Sequence, residues 1–320
     1  MKQSLSSMLL DPFVPLAFGS PGYHLAARGF VAGDLEVDLR GRVCLVTGAN
    51  AGLGRATALA LARRGAEVRL LCRDATRGAQ ARDAIANEAG NDAGPVHLDV
   101  VDLAEVDAIR HYAETLPAER IHVLVQNAGV MVHERIETRR GLELTFATNV
   151  VGPFLLTQLL VPRLAAAGDA RVVFVSSGGM LTQKLDVASL AGVRTKPFDG
   201  AVVYAQTKRA EVVLAERFAG ELRGAGVFVA SMHPGWVDTR SLATALPAFH
   251  RATHRILRSA EQGADTMIWL SVCRRLSLTD SGRFWFDRVA RRTHVLPFAK
   301  DDPKAADELW ALCERSSGPA

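Results

Sequence analysis

"VCLVTGANAGLGRATALALARRG", residues 43–65, decides the fold. Val43–Val46 is an apolar run short enough for a buried strand, Gly48 ends it in a turn, and residues 55–65 have helix-forming composition that stops at Gly65. Between strand and helix, Gly48 suits a tight turn, Gly52 lets backbone approach a pyrophosphate, and Gly54 lets helix and strand pack closely. A helix opening there presents unpaired N–H groups to anionic oxygen. The spacing departs from plain G-x-G-x-x-G, so the flanking strand and helix, more than the glycines, mark a dinucleotide site.

The same alternation continues outward. "EVRLLCR" (67–73), "VHLDVV" (96–101), "IHVLVQNAG" (121–129), "RVVFVSSGG" (171–179), "GVFVASMHPG" (226–235) and "GRFWF" (282–286) read as further strands. Helical patterns fall between or after them at 76–89, 103–115, 138–164, 202–223 and 303–315. Short apolar runs alternating with helices predict an α/β fold: a single Rossmann-type, doubly wound parallel sheet of seven strands with helices on both faces. Ligands of such sheets sit beyond the C-terminal strand ends, and each unusual polar cluster of this chain follows a proposed strand.

At 320 residues the chain fits one large α/β domain over 38–320, including a substrate-loop region at 236–260 and a C-terminal tail, behind an N-terminal extension at 1–37. The balance of 38 Lys and Arg against 34 Asp and Glu leaves +4, spread along the chain, and no nucleic-acid reader is recognisable. Cys44, Cys72, Cys273 and Cys313 lack metal-ligand spacing and read as buried thiols of a reducing, cytoplasmic compartment; no metal is expected. "MKQSLSSMLLDPFVPLAFGSPGYH" is a poor signal peptide, interrupted by Asp11 and three prolines. It has two placements open to it, in peripheral contact with a membrane or packed on the domain.

"VVYAQTKRA", residues 202–210, puts Tyr204 and Lys208 four residues apart, on one helix face. An ammonium beside a phenol favours phenolate and makes the tyrosine usable as a proton donor or acceptor. By itself, an ordinary amphipathic helix produces the same pair.

Taken together, "TGANAGLG", "NAG" at 127–129, Asn149, the serines at 176 and 177, "YAQTK" and "HPG" at 233–235 resemble the classical short-chain dehydrogenase/reductase family across residues 38–290. "SSGGM", "KPFDG", "MHPGW" and "EQGADTM" are similar to its members near the retinol-dehydrogenase-like enzymes. The resemblance implies that Tyr204 is the catalytic acid or base and that Lys208 binds nicotinamide ribose and lowers the tyrosine pKa. It implies that Ser177 hydrogen-bonds the substrate oxygen and that Asn149 supports a proton relay, with Ser176 a structural partner. It also implies cofactor contacts at Gly48, Asn50, Gly52, Leu53, Gly54, Asp102, Leu103, Asn127, Ala128, Gly129, Pro234, Gly235, Val237 and Thr239. For Asp102 a local Asx turn stays open, and His233 reads as a satisfied loop histidine.

Cofactor choice follows from the end of the second strand, where a carboxylate would accept the ribose hydroxyls of NAD and repel a 2′-phosphate. Cys72 and Arg73 stand there, and Arg55 follows Gly54, so NADP(H) is expected, with both arginines as phosphate contacts. Asp74 turning inward, or Arg55 facing solvent, would weaken that expectation. The gap between Ser177 and Tyr204, together with Leu242, Leu246, Pro247 and Phe249, suggests walls or a mobile lid for a lipophilic carbonyl or alcohol. The family further implies a homo-oligomer built on the helices at 138–164 and 202–223. The rival reading is a non-catalytic dinucleotide-binding protein with a regulatory or assembly role.

Overall fold

The computed structural model describes residues 17–192, 197–294 and 300–318. In chain order its main elements are α1 (Ser20–Ala27), β1 (Val43–Thr47), α2 (Gly52–Ala62), β2 (Glu67–Cys72), α3 (Ala75–Ala89), β3 (Val96–Val100), α4 (Val106–Thr115), β4 (Val123–Gln126) and α5 (Leu144–Ala167). There follow β5 (Arg171–Val175), α6 (Gly200–Glu221), β6 (Phe228–Met232), α7 (Arg240–Ala245), α8 (Pro247–Thr253), α9 (Ala260–Val272), β7 (Phe284–Phe286), β8 (Val289–Arg291) and α10 (Ala305–Ser317). The sheet order is β3-β2-β1-β4-β5-β6-β7-β8, parallel except for β8. The strand order reverses between β1 and β4, which opens a crevice at their C-terminal ends.

Successive strand residues face opposite sides, and each side buries its own core. Leu45, Leu124 and Phe174 point toward α4, α5 and α6. Val46, Val125 and Leu70 point toward α2 and α9. Burying one such side chain contributes roughly 1.5–3 kcal/mol, so continuous apolar strands are what a sheet covered on both faces requires. Helix α5 is long and apolar enough to cross a membrane, but 78% of that stretch is buried here against the sheet and its neighbours.

Seven strands were expected and are present; the eighth, β8, follows a hairpin turn at Asp287 and Arg288, whose φ angles are 51° and 57°. Non-glycine residues seldom adopt that region. Here buried ion pairs hold both, Asp287 to Arg258 at 2.5 Å and Arg288 to Asp265 at 2.5 Å. The turn has no Asn-Gly or Asp-Gly signature because side-chain anchoring replaces it.

Three other differences are physical. Helix α2 begins at Gly52, inside the glycine loop, and α5 begins at Leu144, because residues 137–143 turn back in an isolated bridge between Glu137 and Glu143. Helix α9 was not anticipated as an element, although Ser259 and Gln262 form a reciprocal capping box at its start. The described part of the N-terminal extension packs on the domain: Asp34 accepts from Trp269 Nε1 at 2.9 Å and pairs with Arg275, while Arg288 lies 4.1 Å over the Phe30 ring. Residues 1–16, for which membrane contact was the other placement, lie outside the described residues. All four cysteines are buried free thiols.

Candidate active site

The glycine loop is tight for identifiable reasons. Gly48 has φ of 65°, and a Cβ there would lie 2.9 Å from Ala128 Cα. A Cβ on Gly54 would lie 2.5 Å from Gly48 O, and one on Gly52 would sit 3.4 Å from the Thr239 methyl. The first turn of α2 has no side-chain cap, because Ala51 occupies that position. Its free N–H groups and glycine cradle fit a pyrophosphate. Asn50 lines the cleft beside this loop. Thr47 and Asn127 lock the loop to the next strand: Thr47 Oγ1 accepts from the backbone N–H of Asn127 and of Ala128 at 2.9 Å, and Asn127 Nδ2 donates to Thr47 O at 2.8 Å.

Three elements then bring the proposed catalytic residues together. Ser177 follows β5, Tyr204 and Lys208 lie on α6, and Asn149 sits in α5 within a π turn spanning Ala147–Val151. Pro153 has no N–H to donate to the Asn149 carbonyl, which a regular α-helix would require, and π turns recur where a helix is so disturbed. Buried Asn149 accepts from Val130 N at 2.8 Å and donates to Val130 O and Thr207 Oγ1 at 3.0 Å. Asn149 is thus a buried, fully bonded residue and not one on the helix surface.

Lys208 is 3% exposed; its Nζ donates to Val175 O at 2.9 Å and Glu211 Oε1 at 2.7 Å, and lies 5.6 Å from the Tyr204 ring centroid. A Cβ on Gly129 would stand 3.1 Å from Nζ, so this glycine keeps open the approach to the ammonium. Ser176 Oγ donates to Lys208 O at 2.7 Å, as a structural partner would. Ser177 caps the following turn by accepting from Gly179 N at 3.4 Å, and, against the burial that raises it, its side chain lowers the Tyr204 pKa.

Burial outweighs the expected downward pull of Lys208 on the Tyr204 pKa. Burial raises the Tyr204 pKa above its ordinary value; Lys208 and Ser177 pull it down, Glu211 pushes it up, and the net direction is upward. The ammonium tempers the phenol without making it acidic. Glu211 is 1% exposed, and burial pushes its carboxyl up to about 8 against the pull of Lys208, with Oε2 finding no hydrogen-bond partner among the described residues.

Other predicted residues are structural in their contacts. Asp102 Oδ1 accepts from Ala104 N at 2.9 Å, the local turn left open above, and Leu103 packs against Gly152, where a Cβ would stand 2.3 Å from Leu103 O. Leu53 and Val237 meet over Gly263, whose added Cβ would lie 2.6 and 2.5 Å from them. Pro234 O accepts from Arg258 at 3.4 Å, and Thr239 caps α7 through Leu242 N at 3.1 Å. His233 is buried, accepts from Gly235 N at 3.1 Å and stacks 4.0 Å from Phe286; burial holds its pKa well below the usual value.

At the adenine end of the crevice, Asp74 turns outward and caps α3, accepting from Arg77 N at 2.9 Å. Arg55 pairs with Glu88, whereas Arg73 makes no ion pair among the described residues. A cleft of about 380 Å³ opens beside the glycine loop, lined by Asn50, Arg55, Arg77, Gln80 and Arg240 among others. Arg77 and Arg240 had been missed: one is a helix position beyond β2, the other lies 185 residues from Arg55 in sequence, and only the fold brings them together. Glu211 had been missed too, although the third position after Lys208 on a helix was a signal available in the sequence.

A glycine-rich loop ahead of an uncapped helix, opposite a Ser–Tyr–Lys–Asn cluster, defines an oxidoreductase site, and the chain belongs to the short-chain dehydrogenase/reductase family. The family model described as short chain dehydrogenase matches residues 42–248. Human dehydrogenase/reductase SDR family member 12 is 47% identical over 297 residues, covering 92% of each chain. Human retinol dehydrogenase 12 is 35% identical, covering 90% of this chain and 91% of its own. Among solved structures, a protein from Mycobacterium paratuberculosis superposes with a TM-score of 0.69 at 30% identity, covering 90% of this chain and 97% of its own. A Beutenbergia cavernae structure described as an NAD(P)-dependent gluconate 5-dehydrogenase, with NADP bound at low occupancy, gives 0.61 at 26% identity, covering 77% and 95%. Family membership brings a nicotinamide dinucleotide cofactor and carbonyl/alcohol redox chemistry, which the cradle and cluster fit.

Proposed function

We propose that the chain is an NADP(H)-dependent enzyme that interconverts a lipophilic carbonyl compound and its alcohol, with Tyr204 as proton donor in reduction and acceptor in oxidation. The observation that carries this reading is that β5, α6 and α5 supply Ser177, Tyr204 with Lys208, and Asn149, with Lys208 Nζ and Asn149 Oδ1 both standing over Gly129 and Lys208 Nζ facing the Tyr204 ring. When bound, the nicotinamide supplies or accepts the hydride. Ser177 and Tyr204 hydrogen-bond the substrate oxygen where negative charge develops, and Tyr204 delivers the proton. Lys208 holds positive charge beside the phenol, fixed by Val175 O and Glu211. Asn149, locked to Val130 and Thr207, holds the wall on which a proton relay rests.

The preference for NADP(H) is supported by Arg73 at the end of β2, by Asp74 being engaged as a cap, and by the guanidinium-lined cleft. To contact a 2′-phosphate, Arg55 would exchange its partner Glu88 for it. The lipophilic substrate is supported by the apolar surface on the 236–260 segment, where Trp236 packs edge-on to Phe249 at 4.8 Å and Leu246 is exposed, and by the likeness to retinol dehydrogenase 12. Helices α7 and α8 contain no buried residues, as a mobile cover requires.

A substrate panel of lipophilic aldehydes, ketones and alcohols, run with NADPH and with NADH, tests this. Wild type is expected to favour NADPH in kcat/KM. Arg73→Ala is expected to lose roughly 10–100-fold of that preference, the worth of one or two charge-assisted hydrogen bonds at about 1.5–3 kcal/mol. A wild-type preference for NADH, or an NADPH preference unchanged when both Arg55 and Arg73 are replaced, would overturn the cofactor assignment.

A further inference from the structure

The sequence before the matched family region packs directly against the turn that follows Ser177 and the loop that follows β6. Ala17, Phe18 and Gly19 run beside the loop that follows β6. Phe18 O accepts from Trp236 N at 2.8 Å and from Arg258 Nε at 2.9 Å. Arg258 also donates to Ala17 O at 3.0 Å and Gly19 O at 3.2 Å. This guanidinium is 1% exposed and forks onto Asp287 at 2.5 and 2.9 Å. A buried charge persists only when paired and hydrogen-bonded; here the pairing comes from Asp287 and most of the remaining bonds from the N-terminal segment.

The Phe18 ring is the consequence of that clamp. One edge lies on Gly178, where a Cβ would come within 2.7 Å of Phe18 Cε2. Other sides meet His233 at 4.7 Å, Phe286 at 5.2 Å and Trp236 at 5.9 Å. A Cβ on Gly235 would stand 2.6 Å from Phe18 O, so both glycines exist in the form this segment needs. The ring is therefore wedged between two loops: the turn that begins at Ser177, and the loop His233–Asp238 that leads to Thr239 and the glycine cradle.

We propose that Phe18 is a positioning residue for the reaction, pressing on Gly178 to hold the Ser177 hydroxyl at the substrate oxygen, and that residues 17–19 are thereby part of the catalytic unit. The proposal rests on the reading of Ser177 and Tyr204 given above. An anchor that served only stability would act on the whole molecule; a wedge under Ser177 acts on the step in which charge develops on the substrate oxygen. A displacement of about 1 Å there costs on the order of 100-fold in rate.

The test uses the full chain with NADPH and the best substrate of the panel. Phe18→Ala is expected to lower kcat about 10–100-fold while the NADPH Kd, read by fluorescence titration, stays within about 2-fold of wild type. Phe18→Leu, which restores much of the apolar bulk, is expected to recover most of the rate. Gly178→Ala is expected to lower kcat in wild type and to cost less in the Phe18→Ala background, where its methyl has room. Should Phe18→Ala not fold, Phe18→Leu decides by the same split: reduced kcat with unchanged Kd supports the wedge. Unchanged kcat in folded Phe18→Ala, no loss of kcat in Phe18→Leu where that variant alone folds, or a rate loss matched by equal weakening of NADPH, would overturn it. Turnover intact in Phe18→Ala but lost in Tyr204→Phe overturns the positioning role alone; turnover intact in both overturns the reading beneath it.

Discussion

Glu211 is a carboxyl in an environment that its type disfavours. It is buried beside Lys208, and its carboxyl is raised from the ordinary range to about 8. Between about pH 4.5 and 8 the folded chain therefore binds more protons at this site than the unfolded chain does. The sign of the linkage follows: stability falls as pH rises through that window and levels off above it. Lys208, with its pKa raised despite burial because Glu211 stands beside it, stays protonated throughout and adds no slope there. Glu211→Gln is expected to flatten the pH dependence of the melting temperature between pH 5 and 8, measured by calorimetry; an unchanged slope would remove Glu211 as its source. At this scale, legibility in the sequence depended on locality. The Tyr204–Lys208 pair and the glycine loop were readable because their partners lie within a helical turn or a single loop. Glu211 lay equally close and was overlooked. Phe18, Arg77 and Arg240 were illegible, since their meaning comes from contacts more than a hundred residues away in sequence or from a cleft the fold creates.

Among the elements, the parallel strands were the most legible. Burial on both faces demands continuous apolar runs, and β1, β4, β5 and β6 have them. Elements specified by polar anchoring were not: β8 depends on ion pairs reaching Arg258 and Asp265, and α5 widens where Pro153 interrupts its bonding. Helix α10 was expected, but its role was not. It covers α5 and α6, with Trp310 packed 4.9 Å from Phe154 and 4.8 Å from Phe218, and with Arg217 paired to Asp307 at 2.7 Å. Part of the surface of the two helices on which a homo-oligomer was expected is thus covered by α10 itself. If that cover blocks the expected interface, light scattering of the full chain gives the 34.4 kDa monomer, and removal of residues 304–320 exposes Phe154 and Phe218 and drives self-association. A concentration-independent dimer of the full chain would place an interface elsewhere.

For the molecule as a whole, the sheet sets two tasks side by side. On the proposed reading, the β1–β3 half with its glycine loop and arginine-lined cleft would hold the dinucleotide, and the β4–β7 half with α5, α6 and the N-terminal strap would hold the reacting groups. These tasks are separable in principle, which is why a dinucleotide-binding protein without turnover was the rival reading. The measurement that separates them most directly is Tyr204→Phe, which removes one hydroxyl and leaves the ring that Lys208 faces at 5.6 Å. Hydride transfer to the substrate carbonyl is followed by single-turnover oxidation of bound NADPH, with NADPH affinity measured on the same sample. The account predicts wild-type NADPH affinity and loss of transfer by at least about 100-fold, the lower end of the range for removing a general acid. Transfer at near the wild-type rate in the folded Tyr204→Phe chain would contradict it.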